Sequence, residues 1–566
     1  MLDILLLTSF IAIRFTQNSP HTCPKRPINL INPSPDHPLH FQSSTESPVM
    51  ATPSTDCGYL IVCPEKGGLR DLLKYVVWRS RGSRARFLET SDEDVLGGAT
   101  VKPDHRWVIV VSFIALKIIH LISKPMQYTG YAVTFILNLI SQNGGFFGIL
   151  RSLLAGNLVV PQRGIEAYIS IVGQIDGRVD LYHGKKLVEK LYSSASGEIS
   201  SNRELMDLCM MASKLSYENA EVVRNVVVHH WKASSFLFHS LFCSAIIESM
   251  MNFVSYLWCK QMHFVDFYNC WDDFQKEEST QVFILCDKPK DARLILISFR
   301  GTEPFNADDW STDFDYSWCE IPGLGRIHVG FLEALGLGTR NDTSTFQDHL
   351  QVKSKIIRPE MVKRTAYYRV RRKLESLLGE HKDAKFIVTG HSLGGALAIL
   401  FPTVLVLHEE MGLMQRLLGV CTFGQPRIGD KQLGEYMEAH LDDPVRRYFR
   451  VVYCNDLVPR LPYDNKTFSY KHFGLCLYYD SCYNEHRMHE EPNKNYAITD
   501  AIPIHLNAVW ELIRGLIMRY TRGPEYKEGW LAIGVRIIGL VLPGIAAHCP
   551  VDYINSIRLG KGSAIP

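Results

Sequence analysis

The 14 cysteines of this 566-residue chain include no C-x-x-C pair, and no His/Cys cluster stands at zinc spacing. That absence leaves no metal site, and no cofactor is expected. Several cysteines, Cys209 and Cys421 among them, sit inside apolar runs and read as buried thiols. They suit a reducing, cytosol-facing protein better than a disulfide-stapled secreted one. Net charge is almost missing too, at +2, so nothing argues for nucleic acid as a partner. Met1–Ile13 holds a short apolar run without a basic start or a small-residue cleavage site, which argues against a cleaved signal peptide. Nor is any long apolar run clean. Lys117 and His120 break Trp107–Ile122, and His239 and Glu248 break Phe236–Met251.

A helix over Trp107–Ile122 is about 24 Å long, short of the ~30 Å bilayer core. A lysine at its middle costs roughly 2.5–3.5 kcal/mol at a bilayer centre unless it snorkels. Pro125 follows, then apolar residues from Met126 to Ile140 and from Phe146 to Leu154. Two short helices hinged at Pro125 are therefore expected, entering and leaving one leaflet. That geometry suits an oil droplet, whose monolayer has no aqueous far side; a buried hairpin packed on the globular body is the alternative. This hairpin, about 107–140, belongs to an N-terminal region over 57–160. Order is expected to resume at Tyr59–Val62, followed by a helical pattern through Leu69, Leu72, Leu73 and Val76. Residues 1–56 are rich in Pro, Ser, Thr, Asn and His and read as a disordered or spurious extension.

From about residue 200 the pattern turns globular. Leu205–Ala212 and Ser216–Val227 look helical, and Phe264–Tyr268, Val282–Cys286, Leu294–Phe299, Val420–Phe423 and Tyr448–Val452 look like strands. Val362, Ala366, Val370, Leu374 and Leu378 mark the buried stripe of a basic amphipathic helix whose charges form a solvated face. Buried strands alternating with helices predict an α/β fold with a mainly parallel central sheet flanked by helices.

The chemistry centres on Gly390-His391-Ser392-Leu393-Gly394. G-x-S-x-G arises by chance roughly 0.2 times in a chain this long, so alone it is weak. Here it lies between the apolar run Phe386–Thr389 and a small-residue helical run from Gly395 to Leu400. Strand, tight turn and helix with serine at the apex form a nucleophile elbow. A serine hydroxyl needs a base, and the base needs an orienting acid, in the chain order serine, acid, histidine. Asp456 follows the strand Phe449–Tyr453 and fits the acid better than Asp430, which reads as a turn or cap residue, or Asp480. His472, His486, His489, His505 and His548 all lie downstream. Order and context favour His548 and leave His472 open. The oxyanion hole needs N–H donors, one from Leu393 and one from an earlier strand–loop junction, for which Phe299-Arg300-Gly301-Thr302 is the candidate, with Thr302 able to add its hydroxyl. Glu303–Asp313, carrying Phe305 and Trp310, reads as a lid or an acidic surface loop.

Phe299-Arg300-Gly301-Thr302, His328-Val329-Gly330-Phe331, the elbow, Phe423-Gly424-Gln425-Pro426-Arg427 and Asn455-Asp456 together resemble the class 3 lipases, within the α/β-hydrolases. The likeness extends to the plant oil-body triacylglycerol lipases through Tyr59–Leu73, Trp107–Ile140 and His548–Ser556. It implies Ser392, Asp456 and His548 as the triad, Thr302 and Leu393 as the oxyanion hole, and His472 as a non-catalytic strand histidine. The lipase domain would span 200–566, interrupted by an apolar insert at 233–261. The implied activity is serine-dependent hydrolysis of long-chain triacylglycerol. The implied partner is a lipid-droplet monolayer or membrane facing the cytosol, with the endoplasmic reticulum as a second address. A phospholipase A1 or diacylglycerol lipase is the alternative within the class; a catalytically inactive droplet-coating protein is the alternative outside it.

Overall fold

The computed structural model describes residues 58–77, 86–91, 103–182, 202–231, 262–350, 363–464, 470–495 and 501–562. The extension 1–56 and the insert 233–261 lie outside the described residues. Among those described, one sheet holds nine strands: β1 His263–Asp272, β2 Glu277–Cys286, β3 Leu294–Phe299, β4 Lys385–His391, β5 Leu417–Phe423, β6 Tyr448–Tyr453, β7 Leu475–Tyr479, β8 Asn484–Met488 and β9 Lys561–Gly562. Their spatial order follows the chain. β3 to β7 run parallel; β1 and β2 are antiparallel additions at one edge and β8 is antiparallel to β7 at the other. The helices that bear on the site are α1 Pro103–Gln142, α2 Arg203–Leu215, α3 Ala307–Phe314, α4 Ala366–Glu380, α5 Leu393–Leu407, α6 Ala501–Thr521, α7 Trp530–Gly539 and α8 Pro550–Leu559.

The expected mainly parallel sheet is present, and its composition explains it. β3 reads Leu-Ile-Leu-Ile-Ser-Phe and is buried throughout, as a strand covered on both faces must be. Ile295, Ile297 and Phe299 join Phe386 and Val388 in one core with α4 and α5. Leu294 and Leu296 join Ile387 in the opposite core with α2 and α8. The basic amphipathic helix is α4, with Ala366, Val370, Leu374 and Leu378 buried. Cys209 and Cys421 are buried free thiols.

A second sheet was not foreseen. Six short strands pair antiparallel in the order Tyr470–Lys471, Gly429–Asp430, Gly325–His328, Trp318–Ile321, Gly58–Val62 and Leu88–Thr90. It stitches the N-terminal Tyr59–Val62 strand to the body of the chain.

The hinge expected at Pro125 is absent. α1 runs as one helix of 40 residues through Pro125, and the chain turns instead at Gly144 and Gly145, both with positive φ. A proline inside a helix removes one backbone hydrogen bond and normally kinks or breaks it. Here packing carries the first half: Phe113 and Leu116 sit in a core with Leu60 and Phe87, and Ala115 and Ile119 in another with Ala307 and Phe314. Polar tethers hold the second half. Asn138 exchanges hydrogen bonds with the Ile169 backbone at 2.8 and 2.9 Å, and Asn143 does the same with Val159. Ile109–Gln142 is long and apolar enough to cross a membrane. Leu121, Tyr128 and Ile136 on it are exposed, as are Phe147 and Leu154 on the helix that follows.

Candidate active site

Ser392 sits between β4 and α5 at φ 59° and ψ −133°, a conformation that L-residues avoid. The two elbow glycines make that turn possible. A Cβ on Gly390 would lie 2.1 Å from the Gly394 carbonyl oxygen, and one on Gly394 would lie 2.3 Å from that of Phe299. The Ser392 N–H donates to the Phe423 carbonyl at 2.9 Å, which locks the elbow onto β5. Leu393 is the first residue of α5, so its N–H belongs to the unpaired first turn of the helix. That turn carries the positive end of the helix dipole.

Asp456 lies three residues beyond β6 and is fully buried. His548 Nδ1 stands 2.7 Å from Asp456 Oδ2. The same oxygen accepts a short hydrogen bond from the Tyr553 hydroxyl, and Oδ1 accepts the Val458 N–H at 2.9 Å. With Nδ1–H donating to the carboxylate, Nε2 is the bare acceptor of the imidazole. That atom is buried and has no hydrogen-bond partner. Burial and then Asp456 hold the Tyr553 hydroxyl well above its ordinary pKa, so it remains a donor. All three groups crowd Gly424, where φ is +58°. A Cβ there would meet His548 Cε1 at 2.9 Å, the Tyr553 hydroxyl at 2.9 Å and Asp456 Oδ2 at 3.0 Å.

His391 ties the two halves together. Its Nε2 donates to the His548 carbonyl oxygen at 3.0 Å, and its Nδ1 accepts from the Tyr217 hydroxyl at 2.8 Å. The His391 and His548 rings lie 4.6 Å apart. Burial, then the nearby His548, push the His391 pKa well down, so this imidazole stays neutral and keeps that donor–acceptor polarity. Gly301 admits the contact: a Cβ there would reach the Tyr217 hydroxyl at 2.2 Å, the His391 carbonyl oxygen at 2.3 Å and Ser392 Cβ at 3.0 Å. Thr302 is thereby brought beside the elbow, and its hydroxyl lies 3.4 Å from Asp313 Oδ2.

Other candidates go elsewhere. The His472 side chain is buried, with Nε2 2.7 Å from the Pro459 carbonyl oxygen. His486 lies in β8 and is exposed, and His505 lies inside α6, bonded to the Ala501 carbonyl. Asp430 caps the helix Lys431–Leu441 by accepting the Leu433 N–H at 3.0 Å, as its turn position suggests. Asp480 closes its own turn through the Cys482 and Asn484 N–H groups.

Glu303–Asp313 is a short loop, 303–306, followed by most of α3. Asp309 anchors its base, accepting the Glu303 N–H at 2.8 Å and the Gln275 amide at 2.6 Å. α1 lies over it: the Ser112 hydroxyl bonds the Phe314 carbonyl at 3.1 Å, and Gly130 faces Phe305 so closely that a Cβ would sit 2.5 Å away. The segment beside the elbow is thus clamped by the longest apolar helix among the described residues.

Tyr217, Tyr553 and Asp313 escaped the sequence reading because no local pattern marks them. The tyrosine in the run His548–Ser556 was the one available signal. Two predictions follow from their geometry. Tyr553→Phe leaves the buried Asp456 one donor short, a loss of about 1.4 kcal/mol, so kcat is expected to fall about tenfold with KM unchanged. An unchanged kcat would remove Tyr553 from the orientation of the acid. For Asp313, burial, partly offset by His548, pushes the carboxyl up to about 7. The native state then holds a proton between pH ~4 and ~7 that the unfolded chain has released, so this group lowers stability as pH rises through that window. Asp313→Asn is expected to gain about 2 kcal/mol on the parent between pH 5 and pH 8 in urea unfolding. A difference independent of pH would contradict the assignment.

A family model described as "Lipase (class 3)" matches residues 296–466, a span that holds the elbow and Asp456. The protein called triacylglycerol lipase OBL1 from Arabidopsis thaliana is 53% identical over 91% of this chain and 97% of its own length. Its namesake from Nicotiana tabacum is 51% identical over 89% of this chain and 94% of its own. The Ricinus communis protein of that name is 44% identical over 90% and 97%.

Proposed function

The chain belongs to the class 3 lipase family, and from that premise we propose that it is a serine-dependent lipase hydrolysing long-chain triacylglycerol at the surface of lipid droplets. The observation that carries the mechanism is the oriented imidazole: Asp456 occupies Nδ1 of His548, and Nε2 is buried without a partner. Ser392 is the nucleophile. As its Oγ attacks the ester carbonyl carbon, His548 Nε2 takes the hydroxyl proton. The carbonyl oxygen becomes an oxyanion facing the backbone N–H groups of Leu393 and Thr302, with the α5 dipole behind it. Collapse breaks the ester C–O bond. The glycerol oxygen leaves with the proton from Nε2, and the acyl group stays on Ser392. Water, deprotonated by the same nitrogen, attacks the acyl carbon, and collapse returns the proton to Ser392 and releases the fatty acid.

The substrate reading is supported by the names of the three relatives and the droplet reading by the exposed apolar residues of α1. Purified protein offered emulsified triolein, diolein and phosphatidylcholine is expected to release fatty acid fastest from triolein. Preference for the phospholipid or for diolein transfers the case to a phospholipase A1 or a diacylglycerol lipase. No release from any of them leaves a droplet-coating protein. A fluorescent reporter fused to residues 100–160 is expected to ring lipid droplets in oil-storing cells; diffuse signal would count against that address.

A further inference from the structure

The C-terminal helices α6 and α7 bury charged side chains and leave a long apolar stripe exposed. The inner side of α6 buries Glu511 and Arg514 among Ile504, Ala508 and Met518, and the inner side of α7 buries Arg536 beside Ala532. Arg514 donates to Asp552 Oδ1 at 2.8 Å and to the Tyr453 hydroxyl at 2.9 Å; that hydroxyl donates to Glu511 at 2.9 Å. Arg536 donates to both oxygens of Asp552, at 3.0 and 3.1 Å, and to Glu528 at 2.5 and 2.6 Å. Facing outward on α6 are Ile502, Leu506, Val509, Ile513, Leu516 and Tyr520, at steps of four and three along one face. Ile502 is 75% exposed, Leu506 65% and Tyr520 82%. On α7, Trp530 is 71% exposed, and Ile537 and Ile538 are exposed beside it.

A water-facing helix places charge outside and hydrocarbon inside. This pair keeps a hydrocarbon stripe outside and charges inside, and the buried ion pairs anchored on Asp552 prevent it from rolling over, because a charge freed from its buried partner is strongly destabilising. The outer face is therefore matched to hydrocarbon. Two further features name the medium. Arg519 and Arg522 at the end of α6 and Lys527 in the turn to α7 are exposed, beside the exposed Glu525, where phosphate headgroups would meet the basic groups. The pair also lies next to α1: Leu542 and Ile545, just after α7, pack on the buried cluster of Ala115, Ile119 and Leu457.

We propose that α6 and α7 form a second lipid-docking surface, separate from α1, whose outer stripe enters the acyl layer of a phospholipid monolayer while the basic turn rests on its phosphates. The proposal rests on the reading that the substrate lies beneath such a monolayer. Docking there seats the droplet beside the catalytic loop: Leu457 follows Asp456, and Asp552 and Tyr553 share α8, directly after His548.

The test uses the full chain with Leu506→Glu and Ile513→Glu together. Triolein droplets coated with phosphatidylcholine and phosphatidylserine are floated with the protein, and hydrolysis of a soluble p-nitrophenyl butyrate ester serves as the control. The droplet-bound fraction is expected to fall about tenfold or more, with soluble-ester activity within about twofold of the parent. Equal flotation of parent and variant overturns the proposal. So does a lipid-free parent dimer that the variant converts to monomer, because the stripe would then belong to a second copy of the chain. Arg519→Glu with Arg522→Glu changes two exposed side chains and decides the matter if the first variant does not fold: weaker flotation on phosphatidylserine droplets supports the proposal, and unchanged flotation overturns it. Flotation is read without turnover, so a parent that floats but hydrolyses nothing sinks the lipase reading and not the docking surface.

Discussion

Ser392→Ala is expected to lower fatty-acid release from emulsified triolein by roughly 10⁴- to 10⁶-fold while leaving droplet flotation unchanged. The reason is local. In the proposed mechanism the hydroxyl forms the acyl-enzyme, and without it His548 Nε2 has no proton to receive. Alanine fits the same strained turn, because the glycines at 390 and 394 and not the serine side chain make room for it. The melting temperature should therefore move by only a few degrees. Titration of released acid at constant pH reads the effect. A loss smaller than about a hundredfold would mean that another group carries the attack, since removal of a triad nucleophile costs far more than that.

Asp456→Asn is expected to cost about 10⁴-fold in kcat at nearly constant KM. Asp456 Oδ2 accepts from both His548 Nδ1 and the Tyr553 hydroxyl. An asparagine keeps the shape and one acceptor, but turning its amide NH₂ toward Nδ1 favours the tautomer with the proton on Nε2. That nitrogen would then be a donor where the reaction needs an acceptor. The imidazolium formed during attack would also lose the carboxylate charge that stabilises it. Single-turnover rates separate this outcome from a binding defect. A fall in kcat/KM caused by KM alone would assign Asp456 to substrate binding.

The parts of the site that were legible obey local chemistry. Gly390-x-Ser392-x-Gly394 announces itself because the turn tolerates no Cβ at either flank, as the close approaches to Gly394 and Phe299 confirm. Asp456 was readable as a polar residue just past a buried strand. His548 was different. Order and context favoured it but left His472 as a rival, which the resemblance through His548–Ser556 set aside; the two histidines part company through the Pro459 carbonyl and Asp456. Tyr217 carried no signal at all. Its role depends on Gly301 being small and on His391 being neutral, two facts more than 80 residues away in the chain.

The hinge at Pro125 failed for the same kind of reason. A proline speaks for its own turn, but α1 is held by Phe87, Ala307 and Phe314 on one half and by tethers to Val159 and Ile169 on the other. Those partners outweigh one missing hydrogen bond. The small antiparallel sheet was invisible because strands of two to five residues are too short for any period to show.

By itself, then, the order of residues determined the alternation of strand and helix, the elbow and the chemical class of its nucleophile, because each is dictated by neighbours within a few positions. Tertiary structure alone decided that the long apolar helix runs unbroken across the loop beside the serine, and that the C-terminal pair turns its hydrocarbon outward. Those outcomes depend on distant charges and volumes competing for the same interior, and Asp552 drawing Arg514 and Arg536 inward settles the last of them.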